Sequence, residues 1–235
     1  MKASEEIRKL ASKKIAKHSL RFFKTDKGEY GYGDIFLGVR APKIRLIAKK
    51  YINLSIADMK ILIKSKYHEE RFLGLIILVN KYSKAKDKKT KNQLYNTYIS
   101  SFKYINNWDL VDVTCSHVIG KHLRDKDRSI LYTWAKSEDL WTKRIAIVST
   151  HYFIRKNELQ DTFKIAEILL NDEHDLIHKA VGWMLRESGK RDLEKEEIFL
   201  KKYYNTMPRT MLRYAIERFP EAKRQRYLKG TMNKL

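Results

Sequence analysis

The sequence contains few residues that interrupt helices. Three prolines and nine glycines are spread over 235 residues, so long stretches contain no residue that would break a helix. Aromatic residues are plentiful, but they fall at helical rather than alternating spacing, which disfavours strands. These features predict an all-α fold.

Cysteines and long apolar runs are also scarce. Cys115 is the single cysteine, which excludes a disulfide framework and indicates a reducing, intracellular setting. The longest apolar run, 73–79, is too short to span a membrane, and the charged residues 1–6 are unlike a signal peptide. We therefore expect a cytoplasmic protein in which Cys115 is a small buried side chain.

Acidic residues are too few to balance the basic ones. The chain carries 50 Lys and Arg against 28 Asp and Glu, a formal net charge of +22 at pH 7. This excess is larger than solubility requires and implies an anionic partner, which for a basic cytoplasmic protein is most often nucleic acid. A membrane surface is the competing polyanion, but no lipidation motif supports it.

Five positions recur at nearly constant spacing. Four place a basic residue before a small and apolar segment, and the fifth is a tryptophan. The steps are 37, 36, 35 and 34 residues along Arg71, Trp108, Arg144, Lys179 and Arg213. A helix pair repeated at this interval is typical of HEAT-like solenoids. We predict one domain over residues 1–235, an α-α superhelix of HEAT-like helical repeats that is C-shaped with a basic concave groove.

The repeat also predicts where nucleic acid binds. The second helix of each pair commonly lines the concave face of such solenoids, so basic residues at its start can meet successive phosphates. We interpret most of the 50 basic residues as ordinary charged side chains on the solvated surface. The residues predicted to bind DNA are Arg40, Arg71, Lys143, Lys179, Arg186 and Arg213.

The N-terminal region combines a helical pattern with the only glycine cluster. Apolar residues at helical spacing predict one amphipathic helix over residues 4–24. The glycine-rich segment 28–38 lacks the spacing of a phosphate loop, and no strand precedes it, so we exclude P-loop and Rossmann sites. It is an interhelical loop, or else a basic loop that touches the partner. Pro42 is predicted to open the next helix.

The segment 106–112 pairs an aromatic ring with an acid. Asn106 and Asn107 offer a helix cap, and Asp109 lies in the first turn, where the helix dipole favours a carboxylate. Trp108 and Asp112 are four residues apart and therefore share a face. In isolation such a pair is most often structural.

The repeat register gives this pair a second interpretation. A carboxylate repels DNA phosphates, so Asp112 in a basic groove needs a reason to be there. It can pair with Arg144 or Lys143, and it can stabilise positive charge on a substrate; the two roles are compatible. Trp183 follows Lys179 by four residues, at the register position equivalent to Asp112. The sequence therefore allows all of these side chains to face one groove, although either tryptophan alone is more often buried.

A metal site is not indicated. His174 and His178 have the spacing of helical metal ligands, but the residues between them do not complete an H-E-x-x-H pattern, and no third ligand is apparent. We predict no metal and no cofactor.

Four segments resemble the AlkD-like DNA alkylation repair family, the HEAT-like repeat DNA glycosylases. They are FLGVRAP at 36–42, WDLVD at 108–112, LWTKRIA at 140–146 and HKAVGWMLRE at 178–187. The resemblance implies a superhelix that grips duplex DNA and hydrolyses the N-glycosidic bond of positively charged N3- and N7-alkylated purines, largely without flipping them. It also implies that Asp112 is the catalytic aspartate, that Trp108 and Trp183 are aromatic cleft walls, and that Arg144 is the cleft arginine. Phe22 stands where relatives have a tyrosine, keeping the ring without the hydroxyl.

The chemistry fits these residue types. An alkylated purine is already cationic, so it leaves without a general acid, and an aspartate can stabilise the oxocarbenium-like sugar and orient water. No lysine stands out as a Schiff-base nucleophile, so a monofunctional glycosylase is expected, acting as a monomer on duplex DNA containing alkylated bases. The alternatives are a non-catalytic HEAT-like paralogue that recognises damaged or branched DNA, and a protein–protein scaffold, which the charge disfavours.

Overall fold

The computed structural model describes residues 1–232, and its secondary structure is almost entirely helical. Within that range the only β-type pairing is an isolated bridge between Ile35 and Tyr67. The prediction of an all-α fold is confirmed. None of the described helices is both long and apolar enough to cross a lipid bilayer.

The chain forms two compact units, Met1–Val118 and Ile119–Leu235. The first contains α1 (Lys2–Arg8), α2 (Lys13–Phe22), α3 (Ala41–Lys50), α4 (Ile56–Ile63), α5 (His68–Lys84), α6 (Lys88–Ile99) and α7 (Trp108–Asp112). The second contains α8 (Lys121–Leu123), α9 (Ser129–Ala135), α10 (Leu140–Ser149), α11 (His151–Ile154), α12 (Gln160–Ile168), α13 (Asp175–Gly189), α14 (Leu193–Tyr203), α15 (Arg209–Ala215) and α16 (Glu221–Leu228). A π-helical turn, Ser116–Gly120, lies where the units divide.

Helix α5 is the centre of the first unit. It packs against α3, α4, α6 and α7, and every side chain from His68 to Leu78 is buried. Glu69 and Glu70 in its first turn and Lys81 and Lys84 in its last turn complement the helix dipole. A helix that is buried from His68 to Leu78 gives α7 a fixed surface to pack on.

Helix α13 has the same role in the second unit. It packs against α10, α12, α14 and α15. Gly182 permits the close approach of α15, because a Cβ atom there would lie 2.4 Å from the carbonyl oxygen of Met211. The pairs α9/α10, α12/α13 and α14/α15 follow one another, and their second helices pack in chain order. This arrangement confirms the predicted helical repeat.

The five positions of the repeat register all lie in helices. Four of them lie in the first half of their helix, whereas Arg213 lies in the last turn of its helix. Those helices are α5, α7, α10, α13 and α15, which carry Arg71, Trp108, Arg144, Lys179 and Arg213.

The predicted helix over residues 4–24 is wrong in one respect, because it is two helices, α1 and α2. The chain breaks at Ser12, which caps α2 and whose backbone N–H donates to the Leu37 carbonyl oxygen at 2.9 Å. Gly38 packs directly against this point. The glycine-rich segment thus interrupts the helix by docking on it. Pro42 is the second residue of α3, close to its predicted position.

Candidate active site

Helix α7 begins with a side-chain cap. The Asn107 side-chain oxygen accepts a hydrogen bond from the backbone N–H of Trp108 at 2.8 Å, which confirms the predicted cap. Asp109 lies in the first turn, as predicted. The helix ends at Asp112, shortly before the π-helical turn at Ser116–Gly120. Trp108 and Asp112 are both half-buried, and their spacing puts them on one face, a turn apart.

Trp108 belongs to an aromatic cluster. Its ring centroid lies 5.8 Å from that of Phe22, edge to face, and 5.5 Å from that of Phe23. Phe23 stacks on Phe36 at 5.1 Å, and both rings contact His68, at 5.1 and 4.7 Å. Phe22 is 54% exposed. The structure therefore brings Phe22, which was matched to the tyrosine of relatives, against Trp108 and leaves the Phe22 ring exposed.

A network of charged and polar side chains is centred on His68, which contacts these rings. The Nδ1 atom of His68 lies 3.2 Å from Asp34 Oδ2, and its Nε2 atom lies 2.8 Å from Asp109 Oδ2. The other Asp34 oxygen accepts hydrogen bonds from Arg71 at 2.6 Å and from Asn106 at 2.9 Å. The network joins the glycine-rich segment, α5 and the start of α7.

The network changes the acidity of its members. Burial alone lowers the pKa of His68, but the Asp109 charge and hydrogen bonds to Asp109 and Asp34 outweigh burial and raise the pKa to about 9. Burial alone raises the pKa of Asp34, but the hydrogen bond from His68 and the charge of Arg71 hold it below its ordinary value. His68 is therefore cationic and Asp34 anionic at neutral pH.

The predicted DNA contact at Arg71 is corrected by this geometry. Its side chain is only 6% exposed and is paired with Asp34. A phosphate could reach the guanidinium only if the packing of α5 and the glycine-rich segment were broken and Arg71 gave up the buried Asp34 carboxylate. Arg71 stabilises the first unit from within.

The remaining predicted site residues lie in the second unit. Arg144 is 5% exposed, and its guanidinium donates to the Leu176 carbonyl oxygen. Trp183 is half-buried, with its ring centroid 5.6 Å from that of His151. Trp183 therefore keeps part of its surface outside the core.

The residues predicted to contact phosphate differ in whether they already form an ion pair within the protein. Lys143 is paired with Asp172, and Lys179 with Asp175 at 2.6 Å. Arg186 is paired with Glu217 and Glu187. Arg40 and Arg213 are exposed. A phosphate would meet the last two directly and would compete with a carboxylate at the others.

The two spaced histidines have structural partners. His174 caps α13 by accepting the backbone N–H of Leu176 at 3.1 Å, and His178 Nε2 bonds the carbonyl oxygen of Asp172. No group of three side chains that could hold a metal ion occurs among residues 1–232. Cys115 is fully buried, as predicted.

Sequence reasoning missed the network around His68. It also missed Glu69, whose carboxylate accepts backbone hydrogen bonds from Leu37 at 2.8 Å and Gly38 at 2.7 Å. A signal was present, because the charged run 68–71 directly precedes the apolar stretch 72–79 of the same helix. Charges at the start of a buried helix require partners, and those partners are distant in sequence.

Comparisons with known proteins agree with this architecture. A family model described as DNA alkylation repair enzyme matches residues 3–219. The solved structure titled "Predicted DNA alkylation repair enzyme from Enterococcus faecalis" is similar in fold, with a TM-score of 0.70 and 15% sequence identity over 90% of this chain and 97% of that chain. No curated protein matches the chain. Because the family model spans nearly the whole helical array, the chain belongs to the DNA alkylation repair enzyme family.

Proposed function

We propose that this protein is a monofunctional DNA glycosylase that hydrolyses the N-glycosidic bond of positively charged N3- and N7-alkylated purines in duplex DNA. The observation that carries the proposal is the face of α7. Trp108, packed beside the exposed ring of Phe22, lies one turn before Asp112. An open aromatic surface beside a carboxylate suits a cationic base attached to a sugar that becomes positive.

The proposed reaction needs little acid catalysis. As the bond from sugar C1′ to the base nitrogen breaks, its electron pair goes to the cationic base, which leaves as a neutral purine. The sugar becomes oxocarbenium-like, and the Asp112 carboxylate stabilises that charge. Water attacks C1′ and loses its proton, for which Asp112 is the oriented acceptor. An abasic site and a free base are the products.

The aromatic rings hold the substrate in this scheme. Trp108 and Phe22 offer their π-faces to the cationic nucleoside, an interaction of about 0.5–2 kcal/mol. For the second unit, the family resemblance implies that Trp183 is an aromatic cleft wall and Arg144 a cleft arginine. Arg144 is 5% exposed and bonded to the Leu176 carbonyl oxygen, so it could meet a phosphate only by giving up that contact. Duplex DNA binds through the net charge of +22 and through Arg40, Lys143, Lys179, Arg186 and Arg213.

The proposal is tested by the release of 7-methylguanine from methylated duplex DNA. For Asp112→Asn we expect a single-turnover rate reduced by about 100-fold or more, with DNA affinity retained, because the amide keeps the shape of the side chain and removes its charge. Asp125→Asn is the matched control, since Asp125 has a side chain 87% exposed. Normal release by Asp112→Asn in a folded protein would exclude the catalytic role of Asp112.

If the wild-type protein binds alkylated DNA but releases no base, the interpretation as a non-catalytic protein is the one that remains. The protein would then be a DNA-binding paralogue that recognises damaged or branched DNA without catalysis. Charge and helical repeats serve both functions equally, so the assay of base release separates them.

A further inference from the structure

The N-terminus of α7 is held from three sides. Asn107 caps the helix, Asn106 donates to Asp34 at 2.9 Å, and Asp109 lies 2.8 Å from His68. Trp108 lies between these anchored residues in the chain. The helix itself has only five residues, too few to be stable on its own. Its direction therefore depends on these contacts together with its packing on α5.

His68 makes hydrogen bonds that only an imidazolium can satisfy together. Each of its ring nitrogens faces a carboxylate, that of Asp34 or that of Asp109. A neutral imidazole carries a single N–H and could donate to one of them, whereas the protonated ring donates to both. With His68 protonated, its charge and that of Arg71 balance the two carboxylates. A neutral His68 would leave one net negative charge in the interior of the first unit.

The same ring supports the aromatic cluster. His68 contacts Phe23 and Phe36, and Phe23 contacts Trp108. The second carboxylate oxygen of Asp109 is buried and has no hydrogen-bond partner among the described residues, so Asp109 depends on His68. The imidazole is thus joined to α7 directly by one ionic contact and indirectly through the ring of Phe23.

We propose that His68, clamped between Asp34 and Asp109, is a positioning residue that sets the orientation of α7 and thereby of Trp108 and Asp112. Its effect on catalysis rests on the proposed glycosylase function, whereas its effect on α7 does not. His68 is 3% exposed, so it acts through Asp109 and Phe23. A small displacement of the catalytic carboxylate is enough to slow the reaction, because a shift of about 1 Å can cost on the order of 100-fold.

The test combines base release with hydrogen exchange of the segment 105–113. In His68→Gln we expect single-turnover release of 7-methylguanine to fall at least about 10-fold, with DNA affinity changed less than about twofold. Backbone amides of α7 should exchange at least about 10-fold faster, while those of α5 stay protected. His122→Gln is the control, because His122 is also buried but lies in the second unit.

A double variant separates positioning from general packing. In His68→Gln with Asp109→Asn the buried charges balance again, and the two amides can hydrogen-bond each other. We expect this pair to recover part of the lost rate and of the α7 protection. If His68→Gln does not fold, Asp109→Asn alone supplies the same two readouts with His68 retained.

The possible outcomes are distinct. Unchanged release and unchanged α7 exchange in a folded His68→Gln or Asp109→Asn variant would overturn the proposal, as would a double variant no better than His68→Gln. If the wild type releases no base, the glycosylase function fails, but α7 exchange still decides whether His68 positions the helix.

Discussion

Buried acids in this protein differ in how their charge is balanced. Asp34 accepts hydrogen bonds from His68, Arg71 and Asn106. Glu196 is 1% exposed, and its Oε1 atom has no hydrogen-bond partner within the described chain. Burial, aided by the charge of Glu197, raises the pKa of Glu196 to about 8. A side chain so placed is uncharged at neutral pH and weakens the fold once it ionises.

Replacing Glu196 tests this directly. The pKa of Glu196 is higher in the folded protein than in the unfolded chain. The contribution of Glu196 to stability is therefore complete below its unfolded pKa and is lost as the pH rises through about 8. Glu196→Gln should therefore match the wild type near pH 5 and unfold about 5 °C higher near pH 9. Thermal unfolding checks this, with the exposed Glu194→Gln as control. An equal difference at both pH values would contradict it.

His68 has the opposite charge and a related dependence. Its folded pKa of about 9 exceeds the ordinary value of 6.5. Its stabilising contribution is therefore complete below about 6.5 and is lost as the pH rises through 9. The groups facing it are Asp34, Asp109 and Arg71. We expect the melting temperature to fall more steeply between pH 7 and about 9.5 in the wild type than in His68→Gln. Parallel curves would argue against a protonated His68.

At the scale of elements, the glycine-rich segment determines where helices end. Gly38 has a φ of +79°, and a Cβ atom there would lie 2.2 Å from the Ser12 carbonyl oxygen. Because of this close approach, the Leu37 carbonyl oxygen accepts a hydrogen bond from the Ser12 N–H. It takes the place of the carbonyl group that a continuous helix would supply between α1 and α2. Glu69 holds the same segment from α5. The loop thus couples α2, which carries Phe22, to the central helix.

Gly38→Ala should destabilise the first unit through this contact. Gly28 also has a positive φ, +87°, but no atom lies within 4 Å of a Cβ built there. Gly28→Ala therefore measures the backbone cost alone, about 1–2 kcal/mol, and Gly38→Ala should cost at least about 2 kcal/mol more. Denaturant unfolding of both variants gives the difference. Equal free energies of unfolding would show that the contact contributes nothing.

At the scale of the whole molecule, we expect the net charge of +22 to govern the DNA binding that we propose. Counterion release makes the affinity fall linearly on a log–log plot against salt, with a slope near −0.9 for each phosphate neutralised. The exposed Arg213 is the clearest candidate for one such contact. The ion pairs of Lys143 and Arg186 within the second unit lessen what each can gain from a phosphate.

Arg213→Gln should therefore reduce the salt slope by about 0.9. Affinity should fall to a similar extent on methylated and unmethylated duplexes, because a phosphate contact does not distinguish them. Titrations at several salt concentrations measure both quantities. An unchanged slope would remove Arg213 from the proposed DNA-binding residues.

The sequence alone determined the helical class, the repeat and the cap of α7. These features follow from local rules. Hydrophobic periodicity and the scarcity of helix breakers act over a few turns of chain, as do the residues Asn107 to Asp112. The repeat carries the same periodic pattern from one helix pair to the next. Phe22 was matched to the tyrosine of relatives through the family resemblance alone, and its contact with Trp108 comes from the tertiary structure.

Only the tertiary structure decided which charges face inward. Arg71 fits the basic register, yet its partner Asp34 lies 37 residues away in an irregular loop that no periodicity describes. The break at Ser12 and the clamp on His68 come from the same loop, whose path depends on glycines and on Glu69. A side chain's neighbours across a fold depend on how such segments dock, and burial then decides whether a charge binds a ligand or another residue.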